Sequence, residues 1–183
     1  AVASVIIGGD PLTPGVAPGA GILSIRIADD GGQSDTYLLA RGIVAAVDSG
    51  AQLINISMGS FGDSALVRNA IECARTRGSL IIAAAGNNGL NQISYPAAND
   101  GVIAVGAVDA LGNHLDFSNT GSSNAIAAPG YGVHAAWTDS QARSVTGTSF
   151  SAPIVTGSIA AIMSEYQLTA PQAYQKLIAS LND

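Results

Sequence analysis

The stretch G-T-S-F-S-A-P-I-V-T-G at residues 147–157 places Ser149 at the start of a long uncharged, apolar run, where a serine hydroxyl could act as a nucleophile. A helix beginning near Thr148 or Ser149 would aim unpaired backbone N–H groups, and the positive end of its dipole, at an oxyanion formed beside Ser149. The plainer reading is an N-cap. A Ser/Thr pair ahead of an apolar run, with Pro153 in the first helical turn, is a common helix start.

Other segments shift the balance toward chemistry. Ala83-Ala84-Ala85-Gly86-Asn87-Asn88-Gly89 follows the apolar run Leu80-Ile81-Ile82, so a strand ends in a side-chain amide set among glycines. Asn87 could therefore donate to an oxyanion. Asn55-Ile56-Ser57-Met58-Gly59 likewise runs from a strand into a turn, and Tyr95-Pro96-Ala97 precedes the apolar segment at 102–108. Phe117-Ser118-Asn119 and Ala128-Pro129-Gly130 complete the series. In this order the motifs resemble the subtilisin-like serine proteases, from Ala1 to about Tyr166. Several spaced motifs matching in order are far more specific than any one of them.

The resemblance implies a serine endopeptidase with Ser149 as nucleophile, and with Asn87 and the Ser149 N–H as oxyanion donors. It also implies that the triad runs Asp, His, Ser along the chain. Only the serine is present. The opening Ala1-Val2-Ala3-Ser4-Val5-Ile6-Ile7-Gly8 looks like the family helix that follows the histidine motif, so the histidine and aspartate would lie upstream of Ala1. His114 and His134 match no family motif and read as surface or strand histidines. The chain is therefore expected to be a fragment, truncated at its N-terminus and inactive alone, whose partner could be its own N-terminal piece carrying Asp and His. The alternative is an inactive peptide-binding scaffold of the same family.

For substrate, the resemblance assigns Ser57, Met58 and Gly59 to an edge that pairs with an extended peptide. Ala84, Ala85 and Gly86 form the opposite wall of the first specificity pocket, and Ser94 stands at its floor where the type member has glycine. Small residues there leave room for a large apolar side chain, and tight strand packing is the plainer account of them. Phe150 replaces a methionine of the type member, which removes an oxidation-prone sulfur beside the nucleophile. No cofactor is required. The family's structural calcium is not supported, because the loop at 8–15 offers one carboxylate, Asp10, whereas calcium takes six or more oxygens. At the family's weaker cation site, Ser123 and Ala125 carry no carboxylate either.

Composition bounds the rest. With 183 residues, 48% of them hydrophobic, the chain suits one domain with a sizeable core. Charged residues make up only 11%, and the net charge of -6, with Lys176 the single lysine, argues against nucleic acid or an anionic membrane as partner. Cys73 is the one cysteine, so no internal disulfide can form. The apolar run at 154–163 is too short to cross a bilayer. This composition suits a secreted, extracellular bacterial-type protease, with a cytoplasmic processing enzyme as the alternative.

The elements that must position these residues alternate. Strands are expected over 22–28, 52–57 and 80–84, with helices near 36–49 and 64–77 between them, a pattern that signals a parallel α/β sheet. Further strands are expected over 102–108, 124–127 and 132–137, then helices over 149–166 and 171–181. The resemblance implies a three-layer fold, a mostly parallel sheet with helices on both faces. Its central strand, which carries the aspartate, would be supplied from upstream, and without it two rows of backbone groups would stand unpaired.

Overall fold

A computed structural model describes residues 1–9, 11–121, 125–137 and 141–181. The apolar runs form a parallel sheet of β1 (Leu53–Ile56), β2 (Leu80–Ala84), β3 (Val102–Val108) and β4 (Ala125–Pro129), in the order β1-β2-β3-β4. Registers such as Ile54 beside Ile81 and Ile82 beside Ile103 set alternate side chains to opposite faces. Ile81 and Ala83 pack on α2 (Thr36–Asp48) and α3 (Ala65–Thr76). Ile82 and Ala84 pack on α4 (Thr148–Tyr166) and α5 (Ala170–Ser180). Both faces are covered, which explains why β2 and β3 are apolar throughout rather than alternating, while β1 carries one polar residue, Asn55.

Local signals fix the helix ends. The Asp35 carboxylate caps α2 by accepting from Leu38 N–H at 2.7 Å, and Gly50 follows its end at φ 81°, a left-handed turn that suits glycine. A reciprocal Thr169–Gln172 capping box opens α5. A short α1 (Val2–Ile7) precedes them, its Ser4 hydroxyl accepting from Ala136 N–H.

The structure departs from expectation in three places. Residues 22–28 form no strand; they have no regular secondary structure and are held by Ile25 and Ile27 against Gly42 of α2, without a sheet partner among the described residues. The reason is spatial: a slot of about 1020 Å³ separates this segment from β1, lined also by α2 and α4. The sheet-facing edge of β1 toward the slot is correspondingly unpaired among the described residues. Pro153 stands at the sixth residue of α4 rather than in its first turn, because the helix begins at Thr148. An antiparallel hairpin of β5 (Val133–Ala136) and β6 (Ala142–Val145) adds a strand that polar Ala142-Arg143-Ser144 gave no periodic sign of. Asp10 and Ser123, weighed above for calcium, lie outside the described residues.

Candidate functional site

Ser149 is the second residue of α4 and half-buried, at the C-terminal ends of the parallel strands, where open α/β sheets place their sites. Gly147 precedes the helix at φ 141°, a conformation closed to most L side chains. The Ser149 hydroxyl donates to the Ser57 backbone carbonyl at 3.2 Å, and the Ser57 hydroxyl donates to the Ser149 carbonyl at 2.8 Å. That second bond has a cause in the sequence. Pro153 has no N–H to offer the carbonyl four residues back, so Ser149 C=O lacks its helical donor and Ser57 supplies one.

Asn87 sits on the exposed turn after β2, and its Oδ1 accepts from both Thr148 N–H (2.8 Å) and Thr148 Oγ1–H (2.9 Å). With Oδ1 committed, the Nδ2 donors stand without a protein acceptor among the described residues. Thr148 is thus the residue that aims the amide, a role that the G-T-S motif contained and sequence reasoning did not extract. Asn119 was missed in the same way. Buried at 3% exposure, it accepts from Asn88 N–H and Leu90 N–H and donates to the Ala85 carbonyl and Ser94 Oγ, which shapes the whole turn.

The structure brings the proposed pocket residues together around Ser94. Ser94 N–H donates to the Ala85 carbonyl at 2.9 Å, continuing the wall from Ala84 and Ala85, both buried. A Cβ at Gly86 would meet Ser94 Oγ at 2.5 Å, and one at Gly59 would meet Ser94 Cβ at 3.0 Å. Ser94 therefore fills space that both glycines leave. Ser57, Met58 and Gly59 lead to Ser60, which pairs with Tyr95 through two backbone hydrogen bonds of 2.9 and 2.7 Å.

No titratable side chain hydrogen-bonds Ser149, Asn87 or Ser57 among the described residues. His114 lies in a turn bridged to Val108, and His134 lies exposed on β5 opposite Ser144, both away from this constellation. The nearest cluster of charge along the Tyr95 side is Asp63, whose carboxyl is held below its usual range by hydrogen bonds from Arg68 and Asn99. Among the described residues no three metal-ligating side chains converge, and no helix is long and apolar enough to cross a membrane.

The constellation can be compared with known proteins. Residues 1–180 match the profile of the subtilase family. Subtilisin DY of Bacillus licheniformis is 36% identical over 168 residues, covering 89% of this chain and 61% of its own length. The solved structure of the patellamide maturation protease PatA is 40% identical with a TM-score of 0.90, over 96% of this chain and 70% of that one. That of the prenylagaramide maturation protease PagA is 35% identical with a TM-score of 0.84, over 89% and 62%. The chain thus spans about three-fifths of the length of the first of these relatives.

Proposed function

Because this chain belongs to the subtilase family, we propose that it supplies the nucleophile, the oxyanion-binding amide and the substrate edge of a serine endopeptidase. The observation that carries the proposal is the pair of hydrogen bonds from Thr148 to Asn87 Oδ1, which commits the amide oxygen and leaves the amide donors available next to the residue that precedes Ser149. Ser149 Oγ attacks the peptide carbonyl carbon while its proton passes to a histidine. Asn87 Nδ2–H and the Ser149 N–H hold the oxyanion. Collapse expels the amine, which takes the proton from the histidine, and water then releases the acyl group by the same route.

In this reading the orienting aspartate comes from an extended segment laid in the slot, and the histidine from the chain that leads from that segment toward α1. Such a strand would pair with β1 on one side and residues 21–27 on the other, covering both unpaired rows. Running parallel to β1, it would end beside Ser57 and Ser149. The substrate is a peptide held along Ser57, Met58 and Gly59, with its side chain between that edge and Ala84, Ala85 and Gly86, over Ser94. The maturation proteases among the structural relatives favour a peptide precursor as substrate. The reading needs no cofactor, and the sparse charge and lone cysteine are compatible with a secreted protease, the first choice, and also with a processing enzyme inside the cell.

A binding-only reading is favoured by one contact: Ser149 Oγ rests on a backbone carbonyl and not on a base. Labelling with a fluorophosphonate, followed by mass analysis of the peptide containing Ser149, separates the two. In protein that carries the histidine and aspartate segment, modification of the wild type and none of Ser149→Ala is expected. An unlabelled protein that still retains peptides would establish the binding-only reading instead.

A further inference from the structure

We propose that Thr156 and Asn55 are positioning residues for Ser149, acting through Ser57 along one directed chain of hydrogen bonds. Thr156 Oγ1–H donates to Asn55 Oδ1 at 3.0 Å, Asn55 Nδ2–H donates to Ser57 Oγ at 3.0 Å, and Ser57 Oγ–H donates to the Ser149 carbonyl at 2.8 Å. The chain crosses from α4 to β1 and back to α4, joining residues far apart in sequence.

Its direction is what matters. An asparagine amide can present either end to a neighbour, and the two ends have opposite hydrogen-bonding character. Thr156, only 5% exposed, engages Oδ1 and so leaves Nδ2 to face Ser57. Ser57 must then accept from Asn55 and spend its single proton on Ser149. With the amide reversed, Oδ1 would draw that proton away from the Ser149 carbonyl. Thr156 Oγ1 also stands 3.0 Å from the Ala152 carbonyl. That carbonyl is an alternative acceptor for the same proton, but it keeps the N–H of Thr156 as a helical donor, whereas Asn55 Oδ1 has no other donor among the described residues, so the hydroxyl proton is better placed on Asn55.

The end point is equally specific, since Pro153 leaves the Ser149 carbonyl without its helical donor. Ser57 grips the nucleophilic residue twice, by this carbonyl and by the hydroxyl that rests on its own backbone oxygen. Asn55 and Thr156 also line the slot, so a segment laid there meets the chain at its first two members. The effect on turnover rests on the protease reading, whereas the hydrogen-bond chain stands apart from it.

The test compares Thr156→Val, which deletes the hydroxyl, with Thr156→Ser, which keeps it, in ¹⁵N-labelled protein. The Phe150 backbone nitrogen shares a peptide unit with the Ser149 carbonyl and reports on the donor that the carbonyl receives. Thr156→Val is expected to shift both the Phe150 ¹⁵N resonance and the Asn55 side-chain amide, and Thr156→Ser to leave both in place. Ser57→Ala, which removes the last donor directly, is expected to reproduce the Phe150 shift and serves if Thr156→Val fails to fold. A Phe150 resonance unmoved by Thr156→Val or by Ser57→Ala, or moved equally by Thr156→Ser, overturns the proposal whether or not the protein hydrolyses peptides. In hydrolysing protein, Thr156→Val should lower kcat about tenfold with KM unchanged, the scale of one lost hydrogen bond. A loss carried by KM overturns it too. Wild-type protein without hydrolysis sinks the protease reading alone, and the resonance comparison still decides the relay.

Discussion

Asn87 and Thr148 are tied twice, the Asn87 carbonyl oxygen accepting at 2.8 Å from the Thr148 backbone and at 2.9 Å from its hydroxyl. A side-chain amide on an exposed turn would otherwise sample several rotamers. Here its donor end is directed before any substrate arrives, which is the preorganisation that charge stabilisation requires. Asn87→Leu should therefore lower kcat about 10²- to 10³-fold with little change in KM, a magnitude established for the type member of this very family. Steady-state kinetics check this, and equal losses in both parameters would remove Asn87 from the oxyanion role.

Ser94 occupies the space beside Gly59 and Gly86, and in the proposed function it stands at the floor of the first specificity pocket. Ser94→Gly should raise the preference for phenylalanine over alanine before the scissile bond about tenfold, the lower end of what one methylene decides in an apolar pocket. Competing peptide substrates measure the ratio of kcat/KM. An unchanged ratio would mean that the substrate side chain lies elsewhere.

Gly86 has φ 109°, and a Cβ there would stand 2.3 Å from Asn119 Nδ2 and 2.5 Å from Ser94 Oγ. Gly86→Ala combines backbone strain with a clash against two buried polar groups. Thermal unfolding should show Tm lowered by about 3 °C or more, since about 1 kcal/mol corresponds to about 2–4 °C at this size. A neutral result would show that the turn can relax without cost.

Asp63 titrates below its ordinary value of 3.8 because Arg68 hydrogen-bonds the carboxylate. A depressed carboxyl stabilises the fold above its unfolded pKa, and that contribution fades as pH falls through the lower folded value. Arg68→Ala should consequently lower Tm slightly at pH 7 and by progressively less as the pH falls below 3.8 and the carboxyl is protonated. The pair is solvent-exposed, so the effect at pH 7 is small and shrinks further in salt. A deficit that persists in acid would point to lost packing of the arginine stem.

Much of the arrangement was legible in the chain. The runs at Leu80–Ala84 and Val102–Val108 announced themselves as strands, because strands covered on both faces are apolar at every position. Ser149 and Asn87 were legible because each interrupts an apolar run with a hydroxyl or amide at a strand or helix end. Residues 22–28 misled because a strand is defined by its partner, and no sequence pattern reveals whether the partner is beside it. Thr148, Asn119 and Thr156 were silent for a related reason. Each acts by hydrogen bonds to residues distant in sequence, 61, 25 to 34 and 101 positions away. Pro153 was read as a start signal, when its consequence is the carbonyl it frees.

The slot beside β1 also governs how this polypeptide behaves in a tube. A row of unpaired peptide groups along β1, with exposed Ile22 and Leu23 across the gap, is a template for any extended chain that arrives, including another molecule of the same sequence. Left open, such an edge favours strand-to-strand association, which rises with concentration. Filled, it turns an adhesive part of the surface into interior.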